Sequence, residues 1–99
     1  MKIDINVFPW YKTEPVDCGY IDMERFDAEK CFELCNWKHW TQEKPKELYS
    51  EIGSASHGIC FTNPETNELW LCKSIGWLVG NEEEILQYVK ENVNKLWWR

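Results

Sequence analysis

The residues best suited to chemistry in this 99-residue chain are its cysteines and histidines. Cys31, Cys35 and His39 are spaced four apart, and His57 lies three positions before Cys60. Thiolates and imidazoles of this kind are the usual ligands of Zn²⁺. However, no C-x2-C pair accompanies them, and Cys31 and Cys35 fall within an apolar helical stripe, where a reduced cysteine behaves as a small hydrophobic residue. The pattern favours structural thiols and no metal or other cofactor, with a zinc site as the alternative.

Thiol catalysis is the second chemistry that these residues suggest. A nucleophilic cysteine needs a nearby base and an exposed, electropositive setting. Cys35 could meet His39, and Cys60 could meet His57, but the local charge is not positive and no glycine motif for an oxyanion accompanies either pair. A Gly-rich phosphate loop and a Ser/His/Asp arrangement are also missing from the sequence. We therefore expect a protein that is not an enzyme, and a small metal- or thiol-dependent enzyme is the alternative.

The charge balance restricts the class of partner. The chain has 17 acidic and 11 basic residues and a net charge of −6. Contacts to phosphates need Lys and Arg patches, so the balance argues against direct binding to nucleic acid or to an anionic membrane. It permits a basic protein partner, although a moderate negative charge also simply keeps a small protein in solution.

Carboxylates and aromatic residues meet in one region of the sequence. Glu43, Glu47 and Glu51 recur at i, i+4 and i+8, which is one helical face and either a solvated face or an acidic contact surface. Trp37 and Trp40 precede them and either pack the end of a helix or serve as exposed anchors, because Trp is enriched at interface hot spots. The predicted partner-binding residues are Trp37, Trp40, Glu43 and Glu47.

The five cysteines and the beginning of the sequence predict a cellular compartment. The number of cysteines is odd, and the first residues are acidic and polar where a secretory signal would be apolar. No apolar run approaches the roughly 20 residues of a membrane span. These features predict a reduced, cytoplasmic protein with free thiols. If any cysteines pair, Cys60 and Cys72 are the first candidates, because a five-residue hairpin loop would place them opposite each other.

A hairpin is the clearest structural element in the sequence. Two apolar runs, Gly58 to Thr62 and Leu69 to Ser74, flank the turn-forming segment Asn63 to Glu68. The Asn and Pro residues of this segment are typical of a loop of about four to six residues. Both faces of the runs are apolar, whereas a strand with one wet face would alternate. The hairpin is therefore predicted to lie at the centre of the sheet.

Periodicity and capping residues place the other elements. Asp27 is a candidate N-cap, and Asn81 with Glu84 forms a capping-box pattern before an apolar helical stripe. The segment 75–80 is either a strand extension or a buried turn. The predicted elements are strands over 2–8 and 18–24 and helices over 27–38, 45–52 and 82–97. The alternative for 18–24 is an irregular lead into the first helix. This order predicts one domain spanning residues 1–99. Its class is α+β: a small antiparallel sheet with a central hairpin, covered by two or three helices.

Two stretches resemble a known family. Gly58 to Leu71, followed by Leu78 to Val89, resembles the closing section of SMI1/SUKH-type bacterial immunity proteins. In that family a hairpin with an acidic, Pro/Gly-type turn precedes a capped helix. The resemblance covers about a third of the chain. It implies a toxin-neutralising role and no particular site residues.

The leading hypothesis is a small acidic inhibitor that binds a basic protein. Its preferred form is an immunity protein that neutralises a bacterial toxin, namely a nuclease domain. The alternative within binding proteins is a phage-encoded inhibitor of a bacterial defence system, comparable to an anti-CRISPR protein. Neither form requires a cofactor, direct contact with nucleic acid or a membrane, and the sequence does not determine the oligomeric state.

Overall fold

The architecture is an antiparallel sheet with helices, as expected for an α+β protein. The computed structural model describes residues 1–8, 13–35, 58–73 and 75–92. The described elements, in chain order, are β1 (Lys2–Val7), β2 (Val16–Asp22), α1 (Ala28–Leu34), β3 (Ile59–Thr62), β4 (Leu69–Cys72), β5 (Trp77–Gly80) and α2 (Glu82–Asn92). The strands form one sheet in the spatial order β2-β1-β3-β4-β5, and every neighbouring pair is antiparallel. The strand predicted over 2–8 is confirmed as β1, and the predicted hairpin is confirmed as β3 and β4. The strand predicted over 18–24 exists as β2 but begins and ends two residues earlier.

The hairpin β3–β4 occupies interior positions of the sheet, the third and fourth of the five strands. Its loop is closed by the Asn63 N–H, which donates to the Glu68 carbonyl at 2.8 Å, so four residues lie between the two. Asn67 takes the left-handed conformation with φ 61°, which asparagine tolerates better than most residues. This loop pairs Cys60 with Leu71.

The expected register, with Cys60 directly opposite Cys72, is therefore wrong. It assumed a loop of five residues, and a change of one residue in register moves each side chain to the other face of the sheet. Cys60 lies on the α2 side with Phe8 and Leu71, whereas Cys72 lies on the α1 side. All five cysteines are buried, and none of them forms a disulfide.

The sheet has an apolar cluster on each face. The α1-side cluster contains the buried residues Ile3, Ile5, Cys18, Ile21, Cys31, Cys35, Ile59, Phe61 and Cys72. The α2-side cluster contains Phe8, Cys60, Leu71, Ile85 and Val89. Apolar residues on both faces of β3 and β4 are thus explained, because a helix covers each face of the interior hairpin.

Strand β2 contains a bulge that keeps its apolar residues on the α1 side. Its pairing with β1 shifts between Asp4 and Asn6, so that Cys18 and Gly19 together oppose Ile5. Gly19 has φ 96°, and its N–H is bound by the Asp17 carboxylate at 2.9 Å. Glycine adopts this conformation without the steric cost that a Cβ atom would add.

Both described helices begin at the predicted caps. The Asp27 carboxylate accepts from the Lys30 N–H at 3.1 Å, and α1 ends at Leu34, earlier than predicted. At α2, the Glu84 N–H donates to the Asn81 side-chain oxygen at 2.8 Å, and the Asn81 N–H donates to the Glu84 carboxylate at 3.1 Å. This is the reciprocal capping box. The rest of the helix predicted to reach residue 97 and the helix predicted over 45–52 fall outside the described residues.

Candidate functional site

The residues nominated from the sequence as the partner-binding site are outside the described part of the chain. This applies to Trp37, Trp40, Glu43 and Glu47, and also to both histidines. Their role therefore remains a prediction. The candidate site below is built from described residues alone.

Four of the five cysteine thiols are held in their neutral form by burial. Loss of hydration raises the pKa of Cys31, Cys35 and Cys60 to about 12 and that of Cys72 to about 11. The Cys31 thiol contacts the Met23 sulfur at 3.4 Å. Because the thiolate is the nucleophile, these four thiols are poorly suited to nucleophilic catalysis near neutral pH.

The described residues contain no candidate metal centre and no helix that could span a membrane. Within 1–8, 13–35, 58–73 and 75–92, no group of three or more His, Cys, Asp or Glu residues could hold an ion. Neither α1 nor α2 is long and apolar enough to cross a membrane.

Aromatic rings fill the α1 side of the sheet beside β4 and β5. The Trp70 ring centroid lies 5.5 Å from that of Phe26 and 6.1 Å from that of Trp77. The Trp77 indole N–H donates to the Glu29 carboxylate at 2.8 Å, which ties β5 to α1. The two described tryptophans, Trp70 and Trp77, therefore have a packing role, because they join the sheet to the α1 segment.

A groove lies beside β5 on the other face, and we call it the β5–α2 groove. It has a volume of about 540 Å³ and is lined by Leu78, Val79, Glu83, Glu84, Gln87, Tyr88 and Glu91. Strand β5 supplies the apolar side, and α2 supplies three carboxylates. At one end of the groove, the Lys73 ammonium lies over the Tyr88 ring, 5.6 Å from the ring centroid. The groove itself therefore has a negative rim next to an apolar wall.

Strand β5 is also an edge of the described sheet, since it pairs only with β4. The Lys73 N–H donates to the Gly76 carbonyl at 3.0 Å, which makes this pair a hydrogen-bonded one. Hydrogen-bonded and non-bonded pairs alternate along an antiparallel ladder. Leu78 and Gly80 therefore bond to β4, whereas the backbone groups of Trp77 and Val79 point outward. An outward row of this kind is a template for pairing with another chain.

Apolar side chains are exposed at this edge. Ile75, in the β4–β5 turn, is 88 % exposed, and Val79 is 37 % exposed. The turn places Gly76 at φ 76°, a conformation that favours glycine. The edge thus combines backbone groups that no other described strand pairs with, exposed apolar side chains and the carboxylates of α2.

A second cavity opens on the α2 side near the hairpin loop. It has a volume of about 510 Å³, and its polar lining consists of Asn6, Thr62, Asn67, Asn81 and Glu82 around Phe8, Cys60 and Leu69. Its lining offers amides but only one carboxylate. The other titratable group in the lining is the Cys60 thiol, whose pKa burial raises to about 12, so it is poorly matched to acid–base catalysis near neutral pH.

The sequence did not point to the β5–α2 groove. In the sequence, helix capping is a sufficient explanation for Glu82, Glu83 and Glu84. The pattern of residues 75–80 did not decide between a strand and a turn. One available signal was the row Glu83, Gln87 and Glu91 at i, i+4 and i+8, which places polar residues on a single helical face beside a β-strand.

Comparison of the chain with protein-family models, with curated proteins and with solved structures gives no significant match. The resemblance to SMI1/SUKH-type immunity proteins therefore stays a prediction from the sequence. The case for a function depends on the groove and on the charge of the chain.

Proposed function

We propose that this protein acts by binding a basic protein partner. The observation that carries the proposal is the β5–α2 groove, where carboxylates of α2 stand beside an open strand edge with exposed apolar side chains. An ion pair between an exposed carboxylate and a partner's Lys or Arg adds little affinity, but exposed carboxylates steer a positively charged partner toward the surface. The apolar edge then provides contact area that excludes water.

The preferred form of this function is inhibition. A nuclease toxin domain has a positively charged site for nucleic-acid phosphates. That positive charge is complementary to the glutamates of the groove. Carboxylates of an inhibitor can occupy such a phosphate site. The resemblance of the hairpin and the capped helix to immunity proteins supports this form. We propose a cytoplasmic immunity protein, and a phage-encoded inhibitor of a defence system is the alternative with the same physical basis.

The buried cysteines favour a binding protein over the enzyme alternative. Burial raises the pKa of four of the thiols to about 11 or 12, well above neutral pH. An enzyme would need groups with pKa values near the working pH within reach of one another.

The test begins with capture of the partner from the native host and its identification by mass spectrometry. The purified partner is then assayed for nuclease activity with increasing amounts of this protein. We expect activity to fall to zero at a stoichiometric ratio. Turnover by the isolated protein that is abolished by a chelator, or by one Cys→Ser substitution, would instead establish the enzyme alternative.

A further inference from the structure

We propose that the partner binds by adding an extended, basic segment to strand β5 as a sixth strand of the sheet. This inference rests on the proposed function and specifies how the groove is used. The outward N–H and C=O groups of Trp77 and Val79 are the hydrogen-bonding partners that such a segment needs. Addition of a strand to an open edge is an established mode of peptide recognition, in which alternate side chains give specificity.

The position of α2 determines which side chains the segment must carry. The Glu84 side chain lies 3.2 Å from the position of a Cβ on Gly80, and Tyr88 lies near Lys73 in the β4–β5 turn. Helix α2 therefore runs antiparallel to strand β5, from Gly80 back toward the β4–β5 turn. An added strand would lie about 4.8 Å outside β5, next to the exposed flank of α2.

The repeat of α2 matches the repeat of a strand. Glu83, Gln87 and Glu91 are four residues apart, which corresponds to about 6 Å per step along a helix. Alternate side chains of a strand are about 6.7 Å apart. A segment with basic residues at i and i+4 would place them beside Glu83 and Glu91, and a polar residue at i+2 would face Gln87. The residues between them would face the side of Trp77 and Val79 and should be apolar.

Charge also decides between a partner and a second copy of this chain. Two copies paired through β5 would bring two α2 helices together, each with three groove glutamates and no groove cation. Like charges opposite each other are destabilising. A basic segment relieves this repulsion, so the edge fits a foreign strand better than it fits itself.

The probe is a synthetic nine-residue peptide with lysine at its third and seventh positions, threonine at its fifth and valine at the even positions. Its ends are blocked, and threonine fills the first and last positions. The full-length protein, labelled with ¹⁵N, is titrated with the peptide and observed by NMR. We expect saturable binding, with shifts centred on β5 and slowed hydrogen exchange at the Trp77 and Val79 amides. A peptide with glutamate at both lysine positions should not bind.

Two variants separate backbone pairing from charge. Val79→Pro removes an outward N–H that the β4 ladder does not use, and proline is tolerated at strand edges. It should weaken peptide binding about tenfold or more, through the lost bond and the displaced strand. Glu83→Gln with Glu91→Gln should weaken binding roughly two- to thirtyfold. The matched control is Glu24→Gln with Glu65→Gln, two exposed carboxylates outside the groove, and it should leave binding within about twofold of the parent.

Several results would overturn the inference. These are an absence of binding at millimolar peptide, shifts that map to another surface, or equal binding by the parent and both groove variants. Slowed exchange at Trp77 and Val79 that depends on protein concentration without peptide would assign the edge to a second copy. Thermal melting confirms that each variant is folded, and the glutamine pair tests the groove even if Val79→Pro does not fold.

The same variants distinguish this inference from the proposed function. If Val79→Pro inhibits the captured partner as well as the parent does, the protein is an inhibitor that uses another surface. If the parent inhibits no captured partner, the proposed function fails regardless of how the peptide behaves.

Discussion

Single buried thiols are the residues whose chemistry the fold controls most strongly. Cys60 has no exposed surface, and burial alone raises its pKa from 9.0 to about 12. A neutral thiol inside the α2-side cluster packs as a small apolar group. Above pH 9 the unfolded chain loses the Cys60 proton while the folded chain keeps it. The unfolded state then binds fewer protons, so the contribution of this thiol to stability declines as the pH rises.

Cys60→Ala tests this contribution through its dependence on pH. Between pH 9 and 12, the free energy of unfolding of the parent should fall more steeply than that of the variant. The difference in slope should reach about 1.4 kcal/mol per pH unit, because only the parent carries this titrating group. Urea unfolding of both proteins at several pH values measures it. Parallel curves across this range would show that Cys60 does not titrate with a raised pKa. Other Lys, Tyr and Cys groups titrate in both proteins and cancel in the comparison.

The capping box at α2 is the second residue-scale feature with a measurable effect. Asn81→Ala removes the side-chain oxygen that accepts the Glu84 N–H at 2.8 Å. The free energy of unfolding should fall by roughly 0.5–2 kcal/mol. Asn81→Asp keeps an acceptor and adds a negative charge at the positive end of the helix, so it should melt at or above the parent temperature. Equal melting of the alanine and aspartate variants would contradict the role of this cap.

At the scale of elements, the packing of α2 on the sheet determines stability and forms the groove. Ile85 and Val89 are buried against Cys60 and Leu71, while Glu83, Gln87 and Glu91 remain on the exposed flank. The same helix therefore provides an apolar stripe for the core and a polar row for the surface. Any loss of its packing would also remove one wall of the groove.

Val89→Asp tests this packing. Val89 is 1 % exposed, so an aspartate there would place an unpaired carboxylate in the α2-side cluster. We expect a loss of roughly 3–5 kcal/mol in the free energy of unfolding, a large part of the stability of a small domain. Lys90→Asp changes the neighbouring exposed residue and should cost only about 1 kcal/mol. If both variants lose the same stability in denaturant titrations, α2 is not packed through Val89.

The sequence predicted the elements that have strong local signals. Asp27 and the Asn81–Glu84 pair marked helix starts, and the apolar runs around Asn63 to Glu68 marked the hairpin. Register was not predictable, because runs that are apolar on both faces carry no alternation to fix it. The loop length then decides the register, and the difference between four and five residues moved Cys72 to the opposite face from Cys60.

Strand β5 and the groove were less predictable for a related reason. The segment 75–80 contains two glycines and no alternation, so its strand character depends on pairing with β4 and on the turn at Gly76. Whether Glu83 and Glu91 border a groove depends on tertiary contacts of α2, which a sequence pattern does not contain. Local chemistry identified the helix, and only the three-dimensional packing showed what its exposed flank faces.

At the scale of the whole molecule, the net charge of −6 acts over a longer range than any single contact. At physiological ionic strength the screening length is about 8 Å, so carboxylates on one side of a small protein sum to a field that a basic partner senses before contact. The location of the carboxylates therefore matters as well as their number. Two acidic regions are candidates: the β5–α2 groove and the predicted face around Glu43 and Glu47.

The last prediction separates location from total charge in binding to the purified basic partner. Glu43→Lys with Glu47→Lys and the control Glu24→Lys with Glu65→Lys each add four charges, since one reversal adds two, and both change the net charge from −6 to −2. If the predicted face steers the encounter, the first pair should slow association more than the control. Trp40→Ala should chiefly speed dissociation, because a desolvated aromatic anchor holds the complex after contact. Stopped-flow association at increasing salt should show a falling rate for the parent and a flatter dependence for the first pair. Equal slowing by both pairs would mean that only net charge matters, and a rate indifferent to salt would exclude electrostatic steering.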